Sequence, residues 1–447
     1  MKTNVPAVVS AVTHEGGKAA GHMTPKAQLL RQASTCMLWE NTFYESGSEI
    51  AQGLAASCAS AKPIDVVEVA RRCRVDLKLR HVPLFLLAQL ARPKAKPGRL
   101  LSDALADVIQ RPDEMGEFLS IYAKVYDYTP KALKGHLPNA VKRGLARAFT
   151  KFSAYQLAKW DRAAGVTLKD VMFLVHPKPK DEAQAALWKS LIDGSLAAPD
   201  TWEVALSSGV NKKETFTRLL TDNKLGYMAL LANLRNMIEA GVDQLVIRKR
   251  LIGNAKGSRA LPFRFLTAAK HAPALADALS EAMIAAVEGH LDGMTYVIID
   301  VSGSMDGKLA GKSQTVRVDA AAGLAILVRE VSASCRLFTF SQSLVEIPNL
   351  RGLALSQSIS ASQPHGGTYL DAALDRLMMK LPRPDRAIVI TDEQAHDGLG
   401  PAIADRAYII NVASYQPGLE VGGGWTRING WSERVVDWIQ QDETLEE

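Results

Sequence analysis

The spacing of apolar residues changes abruptly at about residue 291, and this change limits the folds open to the chain. From about residue 24 to residue 290, apolar residues recur every three or four positions, and almost no segment alternates with a period of two. Such spacing predicts amphipathic helices. After residue 291, apolar β-branched runs alternate with amphipathic helical segments. The pattern predicts a mixed fold, with an all-α domain at residues 26–290 followed by an α/β domain at residues 291–447.

The front portion predicts roughly ten short helices and no strands. The clearest helical segments are residues 115–126, 140–160, 183–192, 215–237 and 274–287. Clusters of Pro, Gly or Asn-Lys separate them, as expected for turns. Helices joined by short connections are typical of stacked helical hairpins that form a curved solenoid. No fixed-period repeat is visible, so the solenoid prediction depends on helix density alone.

The back portion predicts a doubly wound sheet of parallel strands. The predicted strands are residues 295–299, 336–340, 386–391 and 408–412, and the predicted helices are residues 316–332, 369–380 and 433–440. Continuous apolar strands separated by helices indicate a sheet buried on both faces. Ligands of such sheets bind beyond the carboxyl ends of the strands.

Composition excludes several classes of protein. With 447 residues and 47% apolar content, the chain can bury large cores. No apolar run approaches the roughly 20 residues that cross a bilayer, and the N-terminus has no secretory signal pattern. We expect residues 1–25 to form a flexible tail. The four cysteines form no CxxC pair, which predicts reduced thiols in a cytoplasmic protein.

Oxygen-bearing side chains lie where the predicted strands of the back portion end. Asp300, Ser302 and Ser304 follow the first strand at alternate positions, Thr368 follows two glycines, and Asp392 ends a later strand. Hard divalent cations such as Mg²⁺ prefer oxygen ligands. The sequence therefore predicts a metal site of five residues. The alternative is that the Asp-x-Ser-x-Ser segment only caps a turn.

Other motifs fail on inspection. Gly311-Lys312-Ser313 lacks the first glycine and the preceding strand of a phosphate-binding loop. Gly422-Gly423-Gly424 precedes no dinucleotide-type helix and predicts a turn. No nucleophile system can be identified, so we expect a protein that is not an enzyme.

Charge is distributed unevenly between the two portions. Residues 1–290 carry 40 Lys and Arg against 27 Asp and Glu, whereas residues 291–447 carry 13 against 20. A basic front portion suggests that a polyanion binds it, although solvating lysines on a generic alkaline protein explain the same charge. The candidate polyanion-binding residues come from the basic clusters of this portion: Lys142, Arg143, Arg147, Lys151, Lys159, Arg162, Lys169, His176 and Lys178.

One of these clusters predicts a basic stripe on a helix. Arg143, Arg147 and Lys151 are spaced by four residues, which places them on one helix face. Such stripes suit phosphate backbones, and neighbouring aromatic side chains can stack on unpaired bases. The nearby aromatics Phe149, Phe152 and Tyr155 have a simpler interpretation as core residues.

Two resemblances connect these observations. The five predicted ligands resemble the metal-ion-dependent adhesion site of von Willebrand factor A domains, in which a partner's carboxylate or phosphate oxygen completes the metal shell. Three front segments resemble the TROVE module of Ro ribonucleoproteins: Trp39-Glu40-Asn41-Thr42-Phe43-Tyr44-Glu45-Ser46-Gly47, the stretch from residue 154 to His176-Pro177-Lys178-Pro179, and Arg259-Ala260-Leu261-Pro262-Phe263. The order of a TROVE module and an A domain is similar to that of Ro proteins of the bacterial or phage type.

The Ro resemblance implies HEAT-like helical repeats closed into a ring, with the A domain joining the ends. It implies that a small noncoding Y-like RNA binds the outer basic surface and that single-stranded 3′ ends of misfolded or structured RNA enter the hole. Lys159, Arg162, His176 and Lys178 match the family segment that contacts RNA. Asp161 departs from it, because the family tends to be basic there.

We therefore expect a non-catalytic, monomeric RNA-binding protein that acts in RNA quality control, processing or decay. An exoribonuclease tethered through RNA is an expected partner, and no membrane is involved. A second hypothesis is a protein-interaction scaffold, in which the metal site binds an acidic protein ligand. A third hypothesis places a hydrolytic site at the metal, with Asp300 and Asp392 orienting a water.

Overall fold

The computed structural model describes residues 24–35, 38, 47–92, 98–129, 132–207, 209–258, 260–309, 315–393, 399–413, 423–429 and 434–445. The tail predicted for residues 1–25 therefore lies almost wholly outside the described residues. The same holds for most of the segment from Trp39 to Gly47, for Arg259, and for Gly311, Lys312 and Ser313.

Helices make up the front portion. In chain order they are α1 Pro25–Thr35, α2 Gly47–Ser60, α3 Pro63–Val75, α4 His81–Leu90, α5 Gly98–Val108, α6 Asp113–Val125, α7 Leu133–His136, α8 Asn139–Phe149, α9 Ala154–Trp160, α10 Leu168–Val175, α11 Glu182–Asp193, α12 Trp202–Ser207, α13 Lys212–Thr221, α14 Tyr227–Ala232, α15 Leu234–Glu239, α16 Gln244–Gly253, α17 Pro262–His271 and α18 Ala276–Ala286. No strand occurs among the described residues before residue 291, which confirms the predicted helical domain.

Local sequence signals explain where α9 and α10 begin. Ser153 and Thr167 cap α9 and α10 in reciprocal capping boxes with Gln156 and Asp170. Such caps satisfy backbone N–H groups that a helix start leaves without a partner.

Two segments predicted as single helices are divided in the structure. Residues 140–160 form α8 and α9, and residues 215–237 span parts of α13, α14 and α15.

A six-stranded sheet with flanking helices forms the back portion. Its elements are β1 Leu291–Asp300, α19 Arg317–Val331, β2 Ser332–Phe340, β3 Leu344–Ile347, α20 Gly352–Ser360, α21 Leu370–Lys380, β4 Arg386–Thr391, β5 Arg406–Asn411, β6 Trp425–Asn429 and α22 Val435–Leu445. The strand order is β3-β2-β1-β4-β5-β6, and only the edge strand β3 runs antiparallel to its neighbour. The predicted doubly wound sheet is confirmed, with β3, β6 and α20 as additions.

The two faces of the sheet belong to different apolar cores. Val297 and Ile299 of β1 face a core that continues through α19 into the helical domain. Tyr296 and Ile298 point to the other face, where they pack in a separate cluster with Leu374 of α21. This alternation is the period-two pattern of a strand. One apolar core therefore extends from this face of the sheet into the helical domain.

Both ends of the helical domain contact the α/β domain. At the front end, α1 packs on α22 and β6, and Arg31 Nη1 donates a hydrogen bond of 3.2 Å to the Arg427 carbonyl. At the back end, α17 packs on α19, where Lys270 Nζ lies 2.6 Å from Asp319 Oδ2. The α/β domain thus joins the two ends of the helical repeats, as expected for a ring closed by this domain.

The described cysteines lie in the interior of the protein. Cys58, Cys73 and Cys335 are buried and form no disulfide with one another, while Cys36 lies outside the described residues. Among the described helices, none combines the length and apolarity that crossing a membrane requires.

Candidate functional site

Asp300 and Asp392 lie at the same edge of the sheet. Asp300 ends β1, and Asp392 directly follows β4, the neighbouring parallel strand. Both carboxylates are almost completely buried. Thr391 Oγ1 donates a 2.7 Å hydrogen bond to Asp300 Oδ2, and the Ser302 amide donates one of 2.8 Å to Asp300 Oδ1. These bonds hold the Asp300 carboxylate at the edge where doubly wound sheets bind ligands.

The two serine hydroxyls of the predicted site are neighbours. A short 3₁₀ turn at Gly303–Asp306 follows β1 and curls the chain back over the sheet edge. Ser302 Oγ and Ser304 Oγ lie 3.1 Å apart as a result. Ser302 is buried, and Ser304 is half-buried. The hydroxyl oxygens are therefore close enough to face one ion.

Thr368 reaches the same edge because its loop is pinned from two sides. The Gly303 amide donates a 3.0 Å hydrogen bond to the Gly366 carbonyl, which joins the loop to the 3₁₀ turn. Ser341, which follows β2, accepts a 2.8 Å bond from the Gly366 amide and donates one of 3.2 Å to the Gly367 carbonyl. Thr368 itself is 3% exposed. The structure thus brings the loops that carry all five predicted ligands to one edge.

A buried arginine, which sequence reasoning missed, also occupies this edge. Arg317 Nη1 donates hydrogen bonds of 2.7 Å to Asp392 Oδ2 and 3.1 Å to the Ser304 carbonyl. The residue is 3% exposed and is the first residue of α19. A cation in the first helical turn opposes the helix dipole. That unfavourable position was the signal in the sequence that Arg317 has another partner.

Two buried carboxylates, Asp300 and Asp392, lie close together at this edge. Burial, together with the nearby Asp392 carboxylate, raises the pKa of Asp300 to about 7. Two buried carboxylates side by side resist ionising together unless a cation compensates them. Within the described residues no group of three or more His, Cys, Asp or Glu side chains could hold a metal. An ion at this edge would therefore depend on the three hydroxyl oxygens as well as on the two carboxylates. The donor set is two carboxylates and three hydroxyls, which fits a hard, oxygen-preferring ion such as Mg²⁺ rather than zinc.

Two of the three residues of the predicted basic stripe, Arg143 and Arg147, lie on α8, whereas Lys151 follows the end of that helix. Arg143 and Arg147 are exposed on one face, while Val141, Leu145 and Ala148 are buried on the other. Arg147 forms an ion pair with Asp103 of α5, whereas Arg143 has no side-chain partner among the described residues. Arg143 is therefore the cation of this stripe that is available to a ligand. Lys142 lies beside it and is half-buried.

The aromatic residues near the stripe divide into core and surface. Phe149 and Phe152 are buried, and Phe149 makes an edge-to-face contact with Trp188 at 5.4 Å between ring centroids. Tyr155 is 47% exposed, with Lys159 Nζ 5.9 Å from its ring centroid. The core interpretation therefore holds for the two phenylalanines, and Tyr155 presents an aromatic face at the surface.

Cations surround the ring of Trp160 at the end of α9. The guanidinium carbon of Arg111 lies 3.6 Å from the ring centroid, that of Arg162 lies 5.2 Å away, and Lys159 Nζ lies 5.6 Å away. Arg162 is exposed and approaches Glu203 at 3.6 Å. Cations over an aromatic face are held in place by the ring quadrupole. Trp160 thus presents Lys159 and Arg162 together at the surface.

The remaining predicted RNA contacts fall into two groups. Lys151 donates to the carbonyls of Ala106 and Ile109 near the end of α5, and burial lowers the pKa of its ammonium group. Lys169 Nζ donates to the Ile192 carbonyl at 2.7 Å. These two lysines satisfy helix carbonyls. His176 and Lys178 are exposed after α10, with no side-chain partner among the described residues.

Comparisons with known proteins agree with this architecture. Residues 188–288 match the family described as TROVE domain. The chain is 23% identical over 301 residues to Telomerase protein component 1 of Mus musculus, covering 48% of this chain, and 36% identical over 80 residues to that of Rattus norvegicus, covering 16%. It spans only 11% and 3% of the lengths of these relatives.

A solved structure matches nearly the whole fold. The crystal structure of the Deinococcus radiodurans RO (RSR) protein superposes with a TM-score of 0.62 at 20% sequence identity. The match covers 93% of this chain and 99% of that one. The helical repeats and the α/β domain therefore have the same arrangement in both proteins.

Proposed function

We propose that this chain is a TROVE-family protein with the Ro architecture, and that it binds RNA through the surface formed by α8, α9, α10 and the segment after α10. We call this the basic surface, and its members are Lys142, Arg143, Arg147, Lys159, Arg162, His176 and Lys178. The observation that carries the proposal is that Arg143, His176 and Lys178 are exposed cations or potential cations with no partner among the described residues. Unpaired cations are suited to phosphate groups.

The chemistry of the basic surface suits RNA that is partly single-stranded. Tyr155 and Lys159 place an exposed aromatic ring beside a cation. An aromatic face can stack on an unpaired base, while the neighbouring ammonium group binds its phosphate. We propose that a Y-like noncoding RNA binds here on the outside of the ring. Single-stranded 3′ ends of misfolded or structured RNA would enter the hole.

On this proposal the protein is not an enzyme. It holds RNA for quality control, processing or decay, and a tethered exoribonuclease performs any cleavage. We call the sheet edge that carries the five predicted metal ligands the metal edge. Its contacts support a role without catalysis, because the group that lies against Asp392 is the Arg317 guanidinium rather than a general base. Asp300, Ser302, Ser304, Thr368 and Asp392 would hold Mg²⁺. When bound, the ion would offer a coordination position to an acidic oxygen of a partner.

A charge-reversal experiment tests the RNA proposal. We expect Arg143→Glu/Lys178→Glu to weaken binding of a labelled, single-stranded-ended RNA hairpin by at least about tenfold, because two phosphate contacts become repulsive. The matched control is Arg383→Glu/Lys380→Glu, which makes the same charge change in the α/β domain, outside the basic surface. Fluorescence anisotropy at constant salt measures both affinities. Equal affinities for the two double variants would show that the basic surface is not the RNA site.

One observation favours a second function, protein docking at the metal edge. A cleft of about 240 Å³ is lined among others by Gln342, Tyr369 and Arg376, and Tyr369 directly follows Thr368 in the chain. A partner's acidic side chain could reach the ion from this cleft. Ser302→Ala separates the two functions, since it removes a predicted metal ligand and leaves the basic surface intact. Loss of a copurifying protein with unchanged RNA affinity would assign docking to the metal edge.

A further inference from the structure

Arg317 lies inside the predicted metal site rather than beside it. Its Nη1 donates to Asp392 Oδ2 at 2.7 Å and to the Ser304 carbonyl at 3.1 Å, so one guanidinium bridges two of the five ligand residues. The Arg317 and Asp392 side chains are 4% and 0% exposed. Water therefore screens this ion pair only weakly.

Several contacts fix the position of Arg317. Its backbone amide donates a 2.9 Å hydrogen bond to the Gly307 carbonyl, and the Gly307 amide in turn bonds to the Ser304 carbonyl at 3.1 Å. At the other side, Asp319 of the same helical turn pairs with Lys270 of the helical domain at 2.6 Å. The start of α19 is thus held against the 3₁₀ turn that carries Ser304.

Charge decides what the edge can hold. With both carboxylates ionised, Arg317 leaves the edge at −1, and a divalent ion added beside it brings the total to +1. Without Arg317, the same ion would make the edge neutral. A guanidinium and a divalent ion that share one buried carboxylate repel each other strongly, because the protein interior screens charge much less than water does.

We propose that Arg317 is a built-in competitor of the metal ion, which occupies Asp392 until a divalent cation displaces it. The proposal rests on the proposed metal site. The edge then has two arrangements, one with Arg317 paired to Asp392 and one with the ion on Asp392 and the guanidinium moved away. The affinity for the ion is set by the strength of the pair that must be broken.

Two substitutions at Arg317 separate charge from shape. Arg317→Met keeps a long side chain and removes the charge, while Arg317→Lys keeps the charge and removes the planar donor group. We expect Arg317→Met to bind Mn²⁺ at least about tenfold more tightly than the unmodified protein, since no cation opposes the ion. We expect Arg317→Lys to stay within about threefold of it, because the competing charge remains.

Free Mn²⁺ measured by electron paramagnetic resonance during titration gives these affinities without an activity assay, and competition with Mg²⁺ extends them to that ion. Arg383→Met is the control, because Arg383 is an exposed arginine before β4, at the opposite end of the strand from Asp392. Circular dichroism and thermal unfolding verify that each variant is folded.

The outcomes distinguish the two proposals. Tighter binding by Arg317→Met alone supports the competitor. Equal or weaker binding by a folded Arg317→Met, with clear binding by the unmodified protein, overturns the competitor and leaves the metal site intact. Equal tightening by the Met and Lys variants also overturns it, because the lost group would then not act through charge. No binding by any variant at millimolar Mn²⁺ overturns the metal site itself.

Discussion

Replacing Gly116 by alanine tests how closely α6 packs under the loop that leads into α10. A Cβ at Gly116 would lie 2.3 Å from the Val166 carbonyl oxygen, and that oxygen belongs to the backbone. Ordinary contact begins near 3.4 Å, so α6 and the loop must separate by roughly 1 Å in a close-packed interior. Overpacking of this kind costs about 1–3 kcal/mol. Alanine returns about 1 kcal/mol of helix propensity, which leaves a net loss of about 0–2 kcal/mol.

The matched control is Gly53→Ala in α2. Gly53 is exposed, and a Cβ there meets no atom within 4 Å. This variant should gain about 0.5–1 kcal/mol, because only the conformational freedom of glycine is removed. Urea denaturation followed by circular dichroism gives the free energy of unfolding of each variant. If Gly116→Ala were as stable as Gly53→Ala, the close approach of α6 to Val166 would be refuted.

Three further predictions concern other parts of the chain. Arg386→Met should destabilise the α/β domain by about 3–5 kcal/mol, because it leaves the Glu443 carboxylate buried without its main partner. In chemical denaturation, the Arg386→Met/Glu443→Met double variant should recover part of this loss. Hydrogen bonding, chiefly to Arg218, lowers the pKa of Asp200 to about 2. The contribution of Asp200 to stability is therefore present above its unfolded pKa of about 3.8 and is lost as pH falls through about 2. The difference in stability between the unmodified protein and Asp200→Asn should vanish below about pH 2. Tyr155→Ala should weaken binding of single-stranded RNA by about 1–3 kcal/mol, because the exposed ring offers a stacking face, and unchanged affinity in anisotropy would remove Tyr155 from the site.

The sequence predicted the domain classes because each class has its own spacing of apolar residues. Strands such as β1 and β4 are buried along most of their length. Their runs of apolar residues make these strands recognisable in the sequence. The strands that escaped prediction are short. β3 has four residues at a sheet edge and β6 has five after a glycine turn, so neither is long enough for its residue pattern to mark a strand.

The loops of the candidate metal site were predictable, whereas their electrostatic partner was not. Asp300, Ser302 and Ser304 are close in sequence, so their spacing alone brings them together. Arg317 lies 13 residues beyond Ser304, and only the folded edge brings its guanidinium to Asp392. Side-chain partners separated along the chain depend on tertiary packing, which local patterns do not encode.

The same limit applies to the basic surface. Charge spacing identified Arg143 and Arg147 together, but the Asp103 carboxylate that pairs with Arg147 comes from α5. Lys151 was predicted to contact RNA and instead donates to carbonyls of the neighbouring helix end. Its role in RNA binding stays a prediction. A sequence shows where cations cluster, and the fold decides which of them are already paired.

Ultraviolet crosslinking can show where the protein binds RNA. The unmodified protein is crosslinked to a labelled RNA hairpin with a single-stranded 3′ end, and the crosslinked peptides are identified by mass spectrometry. We expect crosslinks in peptides from α8, α9 and α10 and from the segment after α10, with Tyr155 and Trp160 among the modified residues. Addition of salt should reduce their yield, because phosphate contacts release counterions. Crosslinks confined to the α/β domain, or none at low ionic strength, would contradict the claim that the basic surface binds RNA.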